Sequence, residues 1–100
     1  MTLSRTIAVP DLAAAMVNTG QVYVAVYEMV TTRNPYGQRQ ARMGEEAEFF
    51  DVVIRPLDND APILEVYPRL DAEMMVEIVW AIQHVHPHIA IGAGMGVETA

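Results

Sequence analysis

Gln21-Val22-Tyr23-Val24-Ala25-Val26-Tyr27-Glu28-Met29-Val30-Thr31-Thr32 is the stretch on which the fold turns. In steps of two it puts Val22, Val24, Val26 and Val30 on one side and Tyr23, Ala25, Tyr27 and Met29 on the other, the period of a β-strand. Both sides are apolar or aromatic, so a central strand is expected, with Glu28 where the valine side reaches solvent or a partner.

Working outward toward the C-terminus, Phe49 to Arg55 reads as a second strand and Ile63 to Tyr67 as a third. Between them, Leu57-Asp58-Asn59-Asp60-Ala61 carries the polar turn residues of a hairpin connection. Asp71 then caps a helix through about His84, whose Met75, Ile78, Val79 and Ile82 form a stripe to be buried. Pro87 stops that helix, and His88 to Met95 supplies a last, glycine-rich strand.

Toward the N-terminus, Val9-Pro10-Asp11-Leu12 opens a short helix, with proline suited to the first turn and aspartate to the positive dipole end. Asn18-Thr19-Gly20 closes it, Gly20 being free to take a left-handed cap. The expected order is α-β-β-β-α-β without a repeated βαβ unit. It predicts one α+β domain over residues 1–100, a mainly antiparallel sheet of three to four strands with two helices on one face.

Charge and missing residue types narrow the function. The 13 acids outnumber six basic residues, all arginine, for a formal net charge of −7. Such a chain repels nucleic acid and anionic membrane and attracts basic protein surfaces. From Asp58 onward the acids Asp58, Asp60, Glu65, Asp71, Glu73, Glu77 and Glu98 face Arg69 alone, whereas Arg33, Arg39 and Arg42 stand in a segment without an acid. With no cysteine and no lysine, disulfides, thiolate metal sites, cysteine nucleophiles and Schiff-base chemistry are excluded. No convincing secretory signal, lipidation motif or apolar run of transmembrane length is found, and a soluble cytoplasmic protein is expected.

Three segments carry functional candidates. Glu73, Glu77, Trp80 and His84 align on one side of the second helix, an acidic patch around the residue type most enriched at binding hot spots. The competing reading buries Trp80 in the core. In the loop from Arg33 to Gly44, Arg33, Tyr36, Arg39 and Arg42 suit recognition of carboxylate, phosphate or aromatic surfaces. Alternatively, these arginines neutralise Glu45, Glu46 and Glu48. His84, His86 and His88 have metal-ligand spacing in extended chain, but the helix end and Pro87 break that geometry, and a His84 cation at a helix C-terminus explains itself.

Gly92-Ala93-Gly94-Met95-Gly96 fails as a dinucleotide fingerprint because Val97 stands where a third glycine is required. Ser4 is the only serine and lies in no nucleophile motif, so no catalytic residue, metal ligand or cofactor is assigned.

In size and charge the chain resembles small acidic proteins that occupy a partner's basic surface, such as immunity proteins and phage-encoded inhibitors of nucleic-acid-binding complexes. The leading expectation is a non-enzymatic protein-binding domain, an inhibitor or adaptor using Asp58, Asp60, Glu73, Glu77 and Trp80, with Arg33, Tyr36 and Arg39 as a second contact set. A homo-oligomer is compatible with it. Two alternatives remain: a small oligomeric metal-dependent enzyme built on His84, His86 and His88, and an assembly subunit packing Val22 to Val30 across a symmetric interface.

Overall fold

In the computed structural model, which describes residues 7–32 and 37–93, β1 (Val22–Thr31) is the strand about which the molecule is arranged. Along one side it pairs antiparallel with β3 (Phe49–Pro56), register Val22 opposite Pro56 through Met29 opposite Phe49. Its other side is shared. The start of β1 pairs with β5 (Ala90–Ala93), Tyr23 opposite Ala90, and its end with the short β2 (Gln38–Gln40), Val30 opposite Arg39. β4 (Glu65–Leu70) pairs antiparallel with the outer side of β3, completing a five-stranded sheet.

Among the described residues two helices, α1 (Ala14–Asn18) and α2 (Ala72–Val85), complete the α+β domain. Asp71 caps α2, its carboxylate accepting the Met74 N–H at 2.7 Å. The buried stripe of α2, Ile78 and Ile82, packs with Val17 of α1 and Ile89 against Val22 and Val24 of β1 and Val52 and Ile54 of β3. This is the valine side of β1, so the period-two pattern and the helix stripe meet in one core.

Among the described residues no helix lies on the other side of the sheet, which carries two engaged arginines. Arg55 stands opposite Tyr23 and donates to the Tyr27 hydroxyl at 2.6 Å, so its stem crosses the intervening Ala25–Val53 pair, and both residues are buried. Arg69 places its guanidinium 4.6 Å from the centre of the Phe49 ring and donates to Gln38 Oε1. Reaching that position puts Arg69 at φ 54°, beside a register shift between Phe50 and Val52, with its N–H donating to the Asp51 carboxylate at 2.9 Å.

Several boundaries differ from the sequence reading. The first helix begins at Ala14, not near Pro10. Residues 7–13 form no helix, and side chains from elsewhere take two of their carbonyls: the Tyr67 hydroxyl donates to Ala8 O at 2.5 Å and His86 Nε2 to Pro10 O at 2.9 Å. Ile7, Val9 and Leu12 meanwhile pack against the core. Gly20 closes α1 at φ +74°, with Gly20 N–H bonded to Val17 O and Gln21 N–H to Met16 O, the paired bonds of a Schellman cap.

The strand expected from Ile63, β4, starts at Glu65, leaving Ile63 and Leu64 exposed before it. Pro68 is tolerated within it because β4 is an edge strand. Within the segment read as a loop, Gln38–Gln40 forms β2. The last strand runs parallel to β1, not antiparallel, because α2 carries the chain back across the sheet before it starts; residues 94–95 of the expected strand lie outside the described residues.

Candidate protein-binding surface

α2 presents the candidate surface. At 100° per residue, Glu73, Val76, Trp80 and His84 fall on the side turned away from Ile78 and Ile82. Trp80 is 55% exposed and Val76 57% exposed, so the reading that buries the indole in the core does not hold. The Trp80 and His84 rings stack, centroids 5.2 Å apart and planes inclined by 16°, which orders one indole face and leaves the other available. Both positions are ordinary helix spacing, i and i+4.

Glu77 takes a different place in the row. It shares its flank with Ala81 four residues on, and both are buried, Glu77 at 8% exposure. Its carboxylate therefore adds to the field of the helix more than to its contact surface. Glu73, in the first turn, is exposed.

Asp58 and Asp60 lie elsewhere. They sit in the turn after β3, where Asp58 Oδ1 accepts the Asp60 N–H at 3.0 Å and Asp58 O the Ala61 N–H at 3.1 Å. The Leu57 N–H donates to Gln21 O, which fixes this turn at the end of the sheet where β1 begins. α2 ends on the same side, since β5 follows it and pairs from Tyr23. Asp58 and Asp60 thus belong with the C-terminal end of α2, while Glu73 stands at its N-terminal end, about 20 Å away along a helix rising 1.5 Å per residue. Next to Asp58, an open groove of about 510 Å³ is lined by Met16, Gln21, Pro56, Leu57 and Ala61.

The second contact set divides. Arg33 and Tyr36 lie outside the described residues. Arg39, on β2, makes a two-pronged ion pair with Glu45 at 2.7 and 2.8 Å, and the same carboxylate accepts the Arg42 N–H at 2.9 Å. Hydrogen bonds from Arg39 and Arg42 hold the Glu45 carboxyl down at about 2, and Glu45 in turn raises the Arg39 guanidinium above its ordinary value. Arg39 is thus matched by an acid of its own hairpin. Glu48 is spent similarly, accepting from Thr31 Oγ1 at 2.7 Å.

The three histidines have three separate surroundings. His84 stacks on Trp80, His88 is exposed, and His86 is buried with its Nε2 on a carbonyl; because that oxygen only accepts, Nε2 carries the proton. Among the described residues no group of three His, Cys, Asp or Glu side chains is placed to hold a metal ion, and no helix is long and apolar enough to cross a membrane.

The sequence row found the outward side of α2 but missed two of its features. Val76 was overlooked because it continues the apolar run Met74-Met75-Val76, in which nothing marks one residue as facing outward. The tie between His86 and Pro10 was also missed, because it joins segments 76 residues apart. No protein-family model, curated protein or solved structure matches the chain.

Proposed function

We propose that this protein is a non-enzymatic acidic binding domain, an inhibitor or adaptor that occupies a basic surface of a partner protein through the outward side of α2. The observation that carries the reading is Trp80: a large aromatic ring, more than half exposed, ordered by a stacked His84 and flanked by exposed Val76 and Glu73. A well-ordered exposed indole is the kind of group that dominates interface energetics once desolvated. The net charge of −7 supplies attraction at distance, so association is fast and weakens with salt. Asp58 and Asp60, at the C-terminal end of the helix, extend the negative field toward the same partner. Where that partner's basic surface ordinarily holds nucleic acid, the outcome is competition. A cytoplasmic setting belongs to this proposal.

The test is capture of proteins from a lysate of the native host on the intact chain, at low and moderate salt, with Trp80→Ala in parallel. A basic, nucleic-acid-handling protein that is held by the wild type, released by salt and absent with Trp80→Ala is the expected result. Capture unchanged by salt, by Trp80→Ala and by Glu73→Lys would remove the proposal.

A further inference from the structure

The outward row of α2 has a property that does not depend on any basic partner: it is its own complement when reversed. Glu73 stands in the first turn and His84 in the last, with Val76 and Trp80 between them. A second helix laid antiparallel brings acid against imidazole at both ends and valine against indole in the middle. In an interface between identical copies related by a two-fold axis, residue i meets j while j meets i, which this row satisfies at both pairs.

We propose that two copies of this chain associate through α2, antiparallel, with Glu73 of each against His84 of the other and Val76 of each against Trp80 of the other. Three further features favour a second copy as the occupant. Stacking on His84 leaves one indole face free, and Val76 is the exposed aliphatic group at the right distance along the helix to cover it. Antiparallel packing sets the first turn of one helix beside the last turn of the other, so the dipoles attract.

Association along the outer sheet edge is obstructed as well. The Val66 N–H donates to the Glu65 carboxylate, Pro68 has no N–H, and the Arg69 N–H is taken by Asp51, so a new strand along β4 finds few donors.

The contact is small, one face of a single 14-residue helix per copy. An interface below about 1,200 Å² is weak, so the dimer should populate between roughly 0.1 and 1 mM.

The experiment is sedimentation velocity of the intact chain from about 10 µM to about 1 mM, a range set by that weak class of interface, at about 0.15 M salt to screen the repulsion between two copies of net charge −7, with emission of Trp80, the only tryptophan, followed in parallel. The average mass is expected to climb toward the dimer as the emission moves to the blue. Glu73→Lys, His84→Glu and Trp80→Ala should each hold the mass at the monomer. The exchanged pair Glu73→His with His84→Glu should restore the climb; far-UV circular dichroism checks each fold, and the single substitutions decide the question if the double one is unfolded.

A constant monomer mass for the wild type overturns the proposal, as does a dimer that the single substitutions leave intact. A folded double variant as monomeric as the singles overturns it too. A monomer that still captures a basic partner through Trp80 overturns the pairing alone; a dimer that captures none overturns the partner reading alone.

Discussion

The sharpest stability contrast lies within α2, between Ile82 and Trp80. Ile82 is fully buried between the helix and the sheet, and Ile82→Ala removes three carbons there; at about 0.8 kcal/mol per buried methylene the transfer loss is about 2.4 kcal/mol. The cavity left among Val24, Ile54 and their neighbours raises this to about 3 to 4 kcal/mol, inside the range found for such truncations. For a domain of this size each kcal/mol shifts Tm by about 4–8 °C, so a fall of about 12 °C or more is expected.

Trp80→Ala removes a larger side chain, yet more than half of it already meets water. It forfeits a ring stack worth about 0.5–1.5 kcal/mol and regains several tenths from the higher helix propensity of alanine. The net change should stay within about 1 kcal/mol, a few degrees at most. Thermal melts followed by circular dichroism on the two variants measure both. If Trp80→Ala cost as much as Ile82→Ala, the helix would be docked by its other side and the surface described above would be core.

Asp71→Ala removes the cap that receives the Met74 N–H and should cost about 1 kcal/mol, read as a lowered urea midpoint at unchanged slope. Glu45 is held at about 2, so its stabilising contribution is present above the ordinary carboxylate range and lost as pH falls toward that value. The stability difference between wild type and Glu45→Gln should therefore shrink on acidification. Tyr67 behaves in the opposite sense: burial and, secondarily, Glu65 raise its hydroxyl, so stability is complete below its ordinary value near 10.0 and falls above it, and Tyr67→Phe should flatten that alkaline limb. Glu65→Thr with Pro68→Val frees one N–H on β4 and adds another; light scattering on concentration should show association that does not require Trp80.

The parts of this fold that were legible are those whose cause is local in the chain. Two-sided apolar alternation from Val22 to Val30 reports a strand flanked on both sides, and the Asp71 cap with its stripe reports a helix on a sheet. What escaped was decided at long range. Pro10-Asp11 has the chemistry of a helix start, yet Tyr67 and His86 hold the carbonyls of residues 8 and 10 and the helix begins only at Ala14, which no pattern in residues 7–13 signals. β2 is three residues long and exists because β1 offers it an edge. For the candidate site, helical spacing placed Glu73, Trp80 and His84 together correctly. It had no means of showing that Glu77, only 60° from Trp80 around the axis, falls on the buried flank, nor that Asp58 and Asp60 sit at the other end of the helix.

The way the remaining surfaces are finished bears on where a partner docks. An uncovered sheet face is ordinarily the first place to seek an interface, and here the Tyr23, Ala25 and Tyr27 side of β1 has no helix over it among the described residues. Yet Tyr23, Ala25, Val53 and Phe49 are buried in the isolated chain, and Arg55 and Arg69 on that side have their charged ends engaged by Tyr27, Asn59 and Gln38. Docking there would require breaking those hydrogen bonds and desolvating two guanidinium groups, a cost of several kcal/mol before any contact is gained. The outward side of α2 carries no such penalty: Trp80 and Val76 lose only water, and Glu73 keeps a solvated carboxylate at the rim. The assembly that stacks β1 faces is therefore disfavoured relative to one that uses the helix, whichever partner the helix receives.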